Sequence, residues 1–164
     1  METNSKSNEF SRIEKRAIEA SAVAPVIQAL AKRIGKKEAL AILQEVNEKE
    51  AFQRGQLQKH QLGHSGISEL VEDVATWGKG GILEMEVLEH TSETYHFNIT
   101  RCPYYEKYVE LDLEEYGVAL SCCRDEPFAR GFHPHLILER TQTIMEGADY
   151  CDFRYSSRSA PQAP

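Results

Sequence analysis

From Phe10 onward the chain places apolar residues at near-helical spacing: Phe10, Ile13, Ala17 and Ile18, then Val23, Val26, Ile27, Leu30 and Ile34. Residues three and four apart share one face of an α-helix, so this spacing predicts a helix over 10–34, with Gly35 as its stop. Pro25 falls inside the run, where a missing N–H and a bulky ring predict a kink or a division into two helices. Leu40, Leu43 and Val46 carry the period into a second helix over about 36–61, which turns polar on all sides after Asn47. That polar half reads as a solvated face or a subunit contact, which leaves room for a homo-oligomer. A third, short helix is predicted from Ile67 to Trp77, ended by Gly78, Gly80 and Gly81.

After Gly81 the period changes to two. Leu83, Met85 and Val87 alternate with Glu84 and Glu86, and TSE makes a turn into TYHFNITRC, so strands are expected near 82–90 and 94–101 as a hairpin. In the second strand Tyr95, Phe97 and Ile99 share the core face, which sends His96, Asn98, Thr100 and Cys102 to the opposite one. Pro103 suits a first helical position, so Cys102 falls at or next to an N-cap. Asp112 followed by Glu115 resembles a capping box for a second short helix ending near Cys123. Residues 124–135 read as a loop, 136–144 as a strand, Glu146-Gly147 as a turn and 150–155 as a last strand. The expected fold is α+β in a single domain over 10–156: an N-terminal helical layer (10–77) packed on a mainly antiparallel sheet in a cysteine-bearing part (82–156). The hairpins favour antiparallel pairing because parallel neighbours need a long crossover. Residues 1–9 and the polar, Pro-containing 157–164 are expected to be disordered ends.

Composition narrows what such a domain does. With 164 residues and 41% hydrophobic content, the chain can bury a core without crosslinks. No stretch approaches the ~20 apolar residues of a membrane span, and no basic start precedes an apolar run, so no membrane role and a cytoplasmic location are expected, where thiols stay reduced. A net charge of -7, from 26 acidic and 19 basic residues, argues against a nucleic-acid partner and for a small molecule or another subunit. There is no Gly-rich phosphate cradle, no G-x-S-x-G elbow and no H-E-x-x-H helix.

The candidate chemistry therefore rests on four cysteines. A thiol at a helix N-terminus meets unpaired N–H groups and the positive end of the macrodipole, which favour the thiolate and make Cys102 a candidate nucleophile or metal ligand. The competing reading is a packing cysteine. Cys122-Cys123 is adjacent rather than spaced as C-x-x-C, so one of the pair reads as filler. Asp125 follows closely as a ligand, general acid/base or cap. Cys151 alternates with Phe153 and Tyr155 as a core cysteine would. Three separated thiols with His96 would complete a tetrahedral metal site, at scattered spacing; the sequence itself requires no cofactor.

FNITRCPYYEKY, LSCCRDEPFARGF and RTQTIMEGADYCDFRY carry F-x-x-T-x-C, C-x-x-D and R-T-x-T-I-x-x-G-x-x-C-D-F patterns. These resemble the bacterial L-2-amino-thiazoline-4-carboxylic acid hydrolase family, over about residues 95–156; a more distant resemblance is to small ligand-binding domains of the vinyl-reductase type. The first resemblance implies cysteine metabolism: water adds to the carbon between sulfur and two nitrogens of a cyclic isothiourea, whose C–S bond breaks to give N-carbamoyl-L-cysteine. The matching positions are Cys102, Cys122, Asp125, Arg140, Thr141, Thr143, Gly147, Cys151 and Asp152, with Cys123 outside the pattern. It implies that Cys102, Cys122 and Cys151 converge on one pocket, with Cys102 as nucleophile or ligand, Asp125 as acid/base and Arg140 as anchor of a substrate carboxylate. Thr141, Thr143 and Asp152, with His96 from the polar row, are the further substrate-binding candidates. Arg140 has a competing reading as a surface strand residue paired with Glu139 or Asp152. Two function classes stay open, this hydrolase and a non-catalytic pocket protein for a small acid or a metal.

Overall fold

Ser11 opens the first helix through a capping box: its hydroxyl accepts from the Glu14 amide, and the Glu14 carboxylate accepts from the Ser11 amide at 2.7 Å. The computed structural model describes residues 10–158, so the expectations for 1–9 and 159–164 lie outside the described residues. Of the kink or division expected at Pro25, the division does not occur: helix α1 (Arg12–Ile34) runs on as one element through it. Ala20, Ala24 and Ile27 bury one stripe of it against Ala39 and Leu43 of α2 (Lys36–Leu62). That packing outweighs a proline penalty of ~3 kcal/mol. Gly35, at φ 93°, turns the chain between the two helices. Helix α3 (Ile67–Val74) follows, shorter than expected because residues 75–80 form turns.

Strands β1 (Glu84–His90), β2 (Thr94–Arg101), β3 (Leu136–Glu139) and β4 (Cys151–Ser157) form one sheet in the order β1-β2-β4-β3, every pair antiparallel. The protein is α+β as its periodicities predict. Phe97 and Phe153 are register partners on β2 and β4, and their rings stack at 4.9 Å. With Tyr95, Ile99 and Tyr155 they make the core face, covered by Leu70, Val74 and Trp77. Ser157, read from the sequence as the start of a tail, is a strand residue. No described helix is long and apolar enough to cross a membrane.

Between β2 and β3 the chain departs most from expectation. After α4 (Pro103–Glu110), Asp112 adopts a positive φ of 54° instead of capping a helix, and the next residues form short turns around α5 (Gly117–Leu120). The expected loop over 124–135 contains a helix, α6 (Asp125–Phe132). Pro127 sits in its first turn, where a missing N–H costs little. Gly131 and Gly55 let α6 and α2 cross with backbones almost touching: a Cβ on Gly131 would lie 2.1 Å from the Phe52 carbonyl oxygen, and one on Gly55 2.3 Å from that of Phe128. Residues that locally read as helix breakers are here contact residues. Strand β3 ends at Glu139 rather than at 144, because Thr143 instead caps a 3-10 turn over Ile144–Glu146.

Candidate functional site

Two hydrophobic clusters form, one around the sheet, α3 and α6, the other around α1, α2, α4 and α5. A cavity of about 200 Å³ lies between α1 and α2 on one side and the ends of β2, β4 and α6 on the other. One wall carries the candidate chemistry. Cys102 caps α4 just past β2, Cys122 lies in the 3-10 turn before α6, Asp125 is the first residue of α6, Arg140 follows β3, and Cys151 opens β4; all five line the cavity.

Arg140 is not a surface residue paired with Glu139 or Asp152. Its Nη1 donates to Asp125 Oδ2 at 2.5 Å, its Nη2 donates to the Cys122 carbonyl at 2.8 Å, and its guanidinium stacks 5.0 Å from the Phe153 ring centre. The fork proposed from sequence for a substrate carboxylate is thus engaged within the protein. Burial pushes the Asp125 carboxyl up, and the Arg140 cation opposes that rise without cancelling it. On the guanidinium, burial acts to lower the pKa but the neighbouring Asp125 charge prevails and raises it.

The thiols are held protonated. Burial raises Cys102, and the amides of Tyr105 and Tyr104 pull the other way. The helix N-terminus acts in the direction its position predicts, but desolvation wins. Cys122 rises well above the ordinary thiol range through burial and then the Asp125 charge. Cys151, whose Sγ accepts from the Ile144 amide at 3.2 Å, is pushed up to about 11 by burial. Any chemistry that needs a thiolate here has to generate it against that burial. Cys123 does not line the cavity and donates to the Ala119 carbonyl at 3.2 Å.

The facing wall was not identified in the sequence. Arg12, Lys15 and Arg16 of α1, Arg54 of α2 and Arg124 ahead of α6 line it, with Glu19 and Asp73 as carboxylates. Asp73 is a buried hub that accepts from Arg12 Nη2 at 2.6 Å, Gln58 Nε2 at 3.1 Å and Trp77 Nε1 at 3.0 Å. Arg124 is engaged with Asn47 and Glu50. Burial first, then the like charge of Arg16, lowers Arg124 to about 10, so it stays cationic at neutral pH. The sequence signal was the i, i+3 and i+4 stripe of Arg12, Lys15, Arg16 and Glu19 beside the apolar stripe of α1. In a chain of negative net charge, nothing in that spacing distinguishes it from an ordinary solvated face.

His96, Thr141, Thr143 and Asp152 do not line the cavity. His96 projects from the face of β2 opposite the core, with Nδ1 3.2 Å from Glu89 Oε2. Asp152 accepts from the Thr141 amide at 3.0 Å, the Thr141 hydroxyl at 2.7 Å and the Gln142 amide at 2.8 Å. Together with the Thr143 cap, this braces the loop that begins with Arg140. Among the described residues no group of three or more His, Cys, Asp or Glu side chains is arranged to hold a metal ion, so the thiols and His96 do not assemble the tetrahedral set that their number allowed.

Comparison with known proteins bears on this geometry. A search of curated proteins found no match. Among solved structures, the phenol-responsive sensory domain of the transcription activator PoxR, solved with phenol, is similar with a TM-score of 0.51 at 10% identity, over 84% of this chain and 74% of that one. At such identity the likeness speaks for the fold alone. The L-2-amino-thiazoline-4-carboxylic acid hydrolase family matches residues 15–155, which reaches well upstream of the three motifs and takes in most of α1, all of α2 and most of the cationic wall. This chain therefore belongs to the L-2-amino-thiazoline-4-carboxylic acid hydrolase family.

Proposed function

We propose that the protein hydrolyses a small, carboxylate-bearing cyclic isothiourea, with L-2-amino-thiazoline-4-carboxylate as the reference substrate and N-carbamoyl-L-cysteine as the product. The observation that carries this reading is the meeting of Cys102, Cys122, Asp125, Arg140 and Cys151, drawn from three separate motifs, around one cavity whose other wall is cationic. Cys102 acts as nucleophile. Its thiol passes its proton to the Asp125 carboxylate as Sγ bonds to the ring carbon between sulfur and the two nitrogens, and the C=N electron pair moves onto nitrogen, to return when the ring C–S bond breaks. The bond from that carbon to the ring sulfur then breaks, and the sulfur takes the proton back from Asp125 and leaves as a thiol. Water adds to the carbon held on Cys102 and loses one proton to Asp125; the Cys102 sulfur departs and takes that proton, and the water's other proton moves to the ring nitrogen as the C=O forms. One water is consumed, and the ring nitrogen stays on the carbamoyl product. A carboxyl with a raised pKa suits this alternation, since it gives up and takes protons nearer to neutral pH than an exposed aspartate does. Arg140 keeps that carboxyl aimed and limits its rise.

The test is ring opening by the purified protein, followed as release of the product thiol. Wild-type turnover is expected. Cys102→Ser should lose nearly all of it while still binding substrate, because the lost bond exists only along the reaction path. Asp125→Asn should lose on the order of 10²-fold in rate. Full activity in Cys102→Ser would remove the thiol from the mechanism and leave direct attack by water. A wild type that binds the thiazoline without opening it would be a pocket protein for small acids, not a hydrolase.

A further inference from the structure

We propose that Arg16 of α1, rather than Arg140, recognises the carboxylate of the substrate and so sets the selectivity of the cavity for acids. The assignment rests on the hydrolase reading for the identity of the substrate, but not for the existence of the anion site.

Among the arginines lining the cavity, the others have their donors largely committed. Arg140 uses both terminal nitrogens on Asp125 and the Cys122 carbonyl. Arg12 places two N–H donors on Asp73, and Arg54 two on Glu50. Arg124 reaches Asn47 and Glu50. Arg16 makes one bond, from Nη1 to Glu19 Oε2 at 2.5 Å, and its Nε and Nη2 have no partner among the described residues. Those two atoms form the edge of a guanidinium that grips a carboxylate through two parallel bonds. The side chain is 18% exposed, whereas Glu19 is 51% exposed, so the guanidinium is largely sheltered while its one partner remains hydrated.

Charge around the cluster points the same way. Among the described residues the four arginines Arg12, Arg16, Arg54 and Arg124 pair with three carboxylates, Asp73, Glu19 and Glu50, with Glu50 serving two of them. A carboxylate on the ligand would give each of these arginines its own acceptor. Among the described residues Arg124 Nε is buried with no acceptor, a further sign that donors outnumber acceptors here. Arg16 also lies within electrostatic reach of Asp125, so a ligand gripped by it faces the wall of thiols.

The test compares L-2-amino-thiazoline-4-carboxylate with 2-amino-thiazoline, which lacks only the carboxylate. Wild type should favour the acid in kcat/KM, and Arg16→Gln should shrink that preference on the order of 10- to 100-fold, the worth of a charge-assisted hydrogen bond, mainly through KM. Arg16→Lys should restore part of it. Arg130→Gln, which removes the same charge from a surface site outside the cavity, should leave the preference alone. An unchanged preference in a folded Arg16→Gln protein overturns the assignment. If wild type turns over neither compound, calorimetry with N-carbamoyl-L-cysteine and its decarboxylated analogue separates the two proposals. Acid-selective binding that is lost in Arg16→Gln upholds the anion site and sinks the hydrolase; equal binding, or none, overturns the anion site as well.

Discussion

Replacing Arg140 with methionine should turn Asp125 into an unpaired carboxylate on a wall that is poorly solvated. The two side chains are 15% and 23% exposed and meet at 2.5 Å. Removing one partner of a fully buried pair costs roughly 3–5 kcal/mol, and the solvent that reaches this one lowers the expected loss to about 2–3 kcal/mol at neutral pH. For a domain of this size that is a fall of roughly 5–10 °C in Tm. Methionine retains much of the contact with Phe153, so the loss is mainly electrostatic. Its pH dependence has a definite sign. The Asp125 carboxyl is already above its ordinary value because of burial, and loss of Arg140 lets it climb further. Where both proteins have Asp125 protonated, the variant lacks little. As pH rises through the wild-type value the wild type ionises Asp125 against Arg140, while the variant must ionise it alone or keep it protonated, so the stability gap opens toward alkaline pH. Urea denaturation of wild type, Arg140→Met, Asp125→Asn and the double variant between about pH 4 and pH 8 measures this as a cycle. The double variant should be more stable than the sum of the single losses predicts, by about 2 kcal/mol. Additive losses together with a gap that is flat across pH would refute the reasoning.

Gly131→Ala puts a methyl group 2.1 Å from the Phe52 carbonyl oxygen and forces α2 and α6 apart; a loss of about 1–3 kcal/mol in thermal denaturation is expected, and a wild-type melt would mean that the crossing has slack. Tyr155→Phe removes a fully buried hydroxyl with no hydrogen-bond partner and should be neutral or stabilising by up to ~1 kcal/mol in urea denaturation, whereas a clear loss would show that the hydroxyl is satisfied in solution. Limited iodoacetamide treatment with peptide mapping should label Cys102 before the other three thiols, at a rate that climbs through alkaline pH; first labelling of Cys123, which burial pushes up to about 12, would contradict this.

The sheet was legible because β2 and β4 each present aromatic residues every second position, a pattern that a helix cannot bury. The thiol wall was legible through its motifs, although its rim was not. Helix α6 escaped notice because Pro127 and Gly131 are local breakers, and only the approach of α2, sixty and more residues upstream, turns that glycine into a contact. Asp112 and Thr143 show the same limit from the other side. A capping residue marks a place where an element can start, and tertiary packing decides whether it is a helix, a turn or nothing. The cationic wall was hidden for an electrostatic reason, since charges that cancel along the sequence need not cancel across a cavity.

The walls of the cavity draw on opposite ends of the chain. Arg12 and Arg16 stand on the first helix, while Cys151 opens the last strand, and the hydrophobic cluster behind the thiols shares no buried residue with the one behind α1. On the proposed assignment, recognition and reactivity can accordingly change at different rates. A few substitutions on the cavity-facing stripe of α1 would re-address the site to another class of ligand, and the stacked aromatic rings that seat the thiols would not register the change. A domain divided in this way can supply its descendants with new substrates before it supplies them with new chemistry.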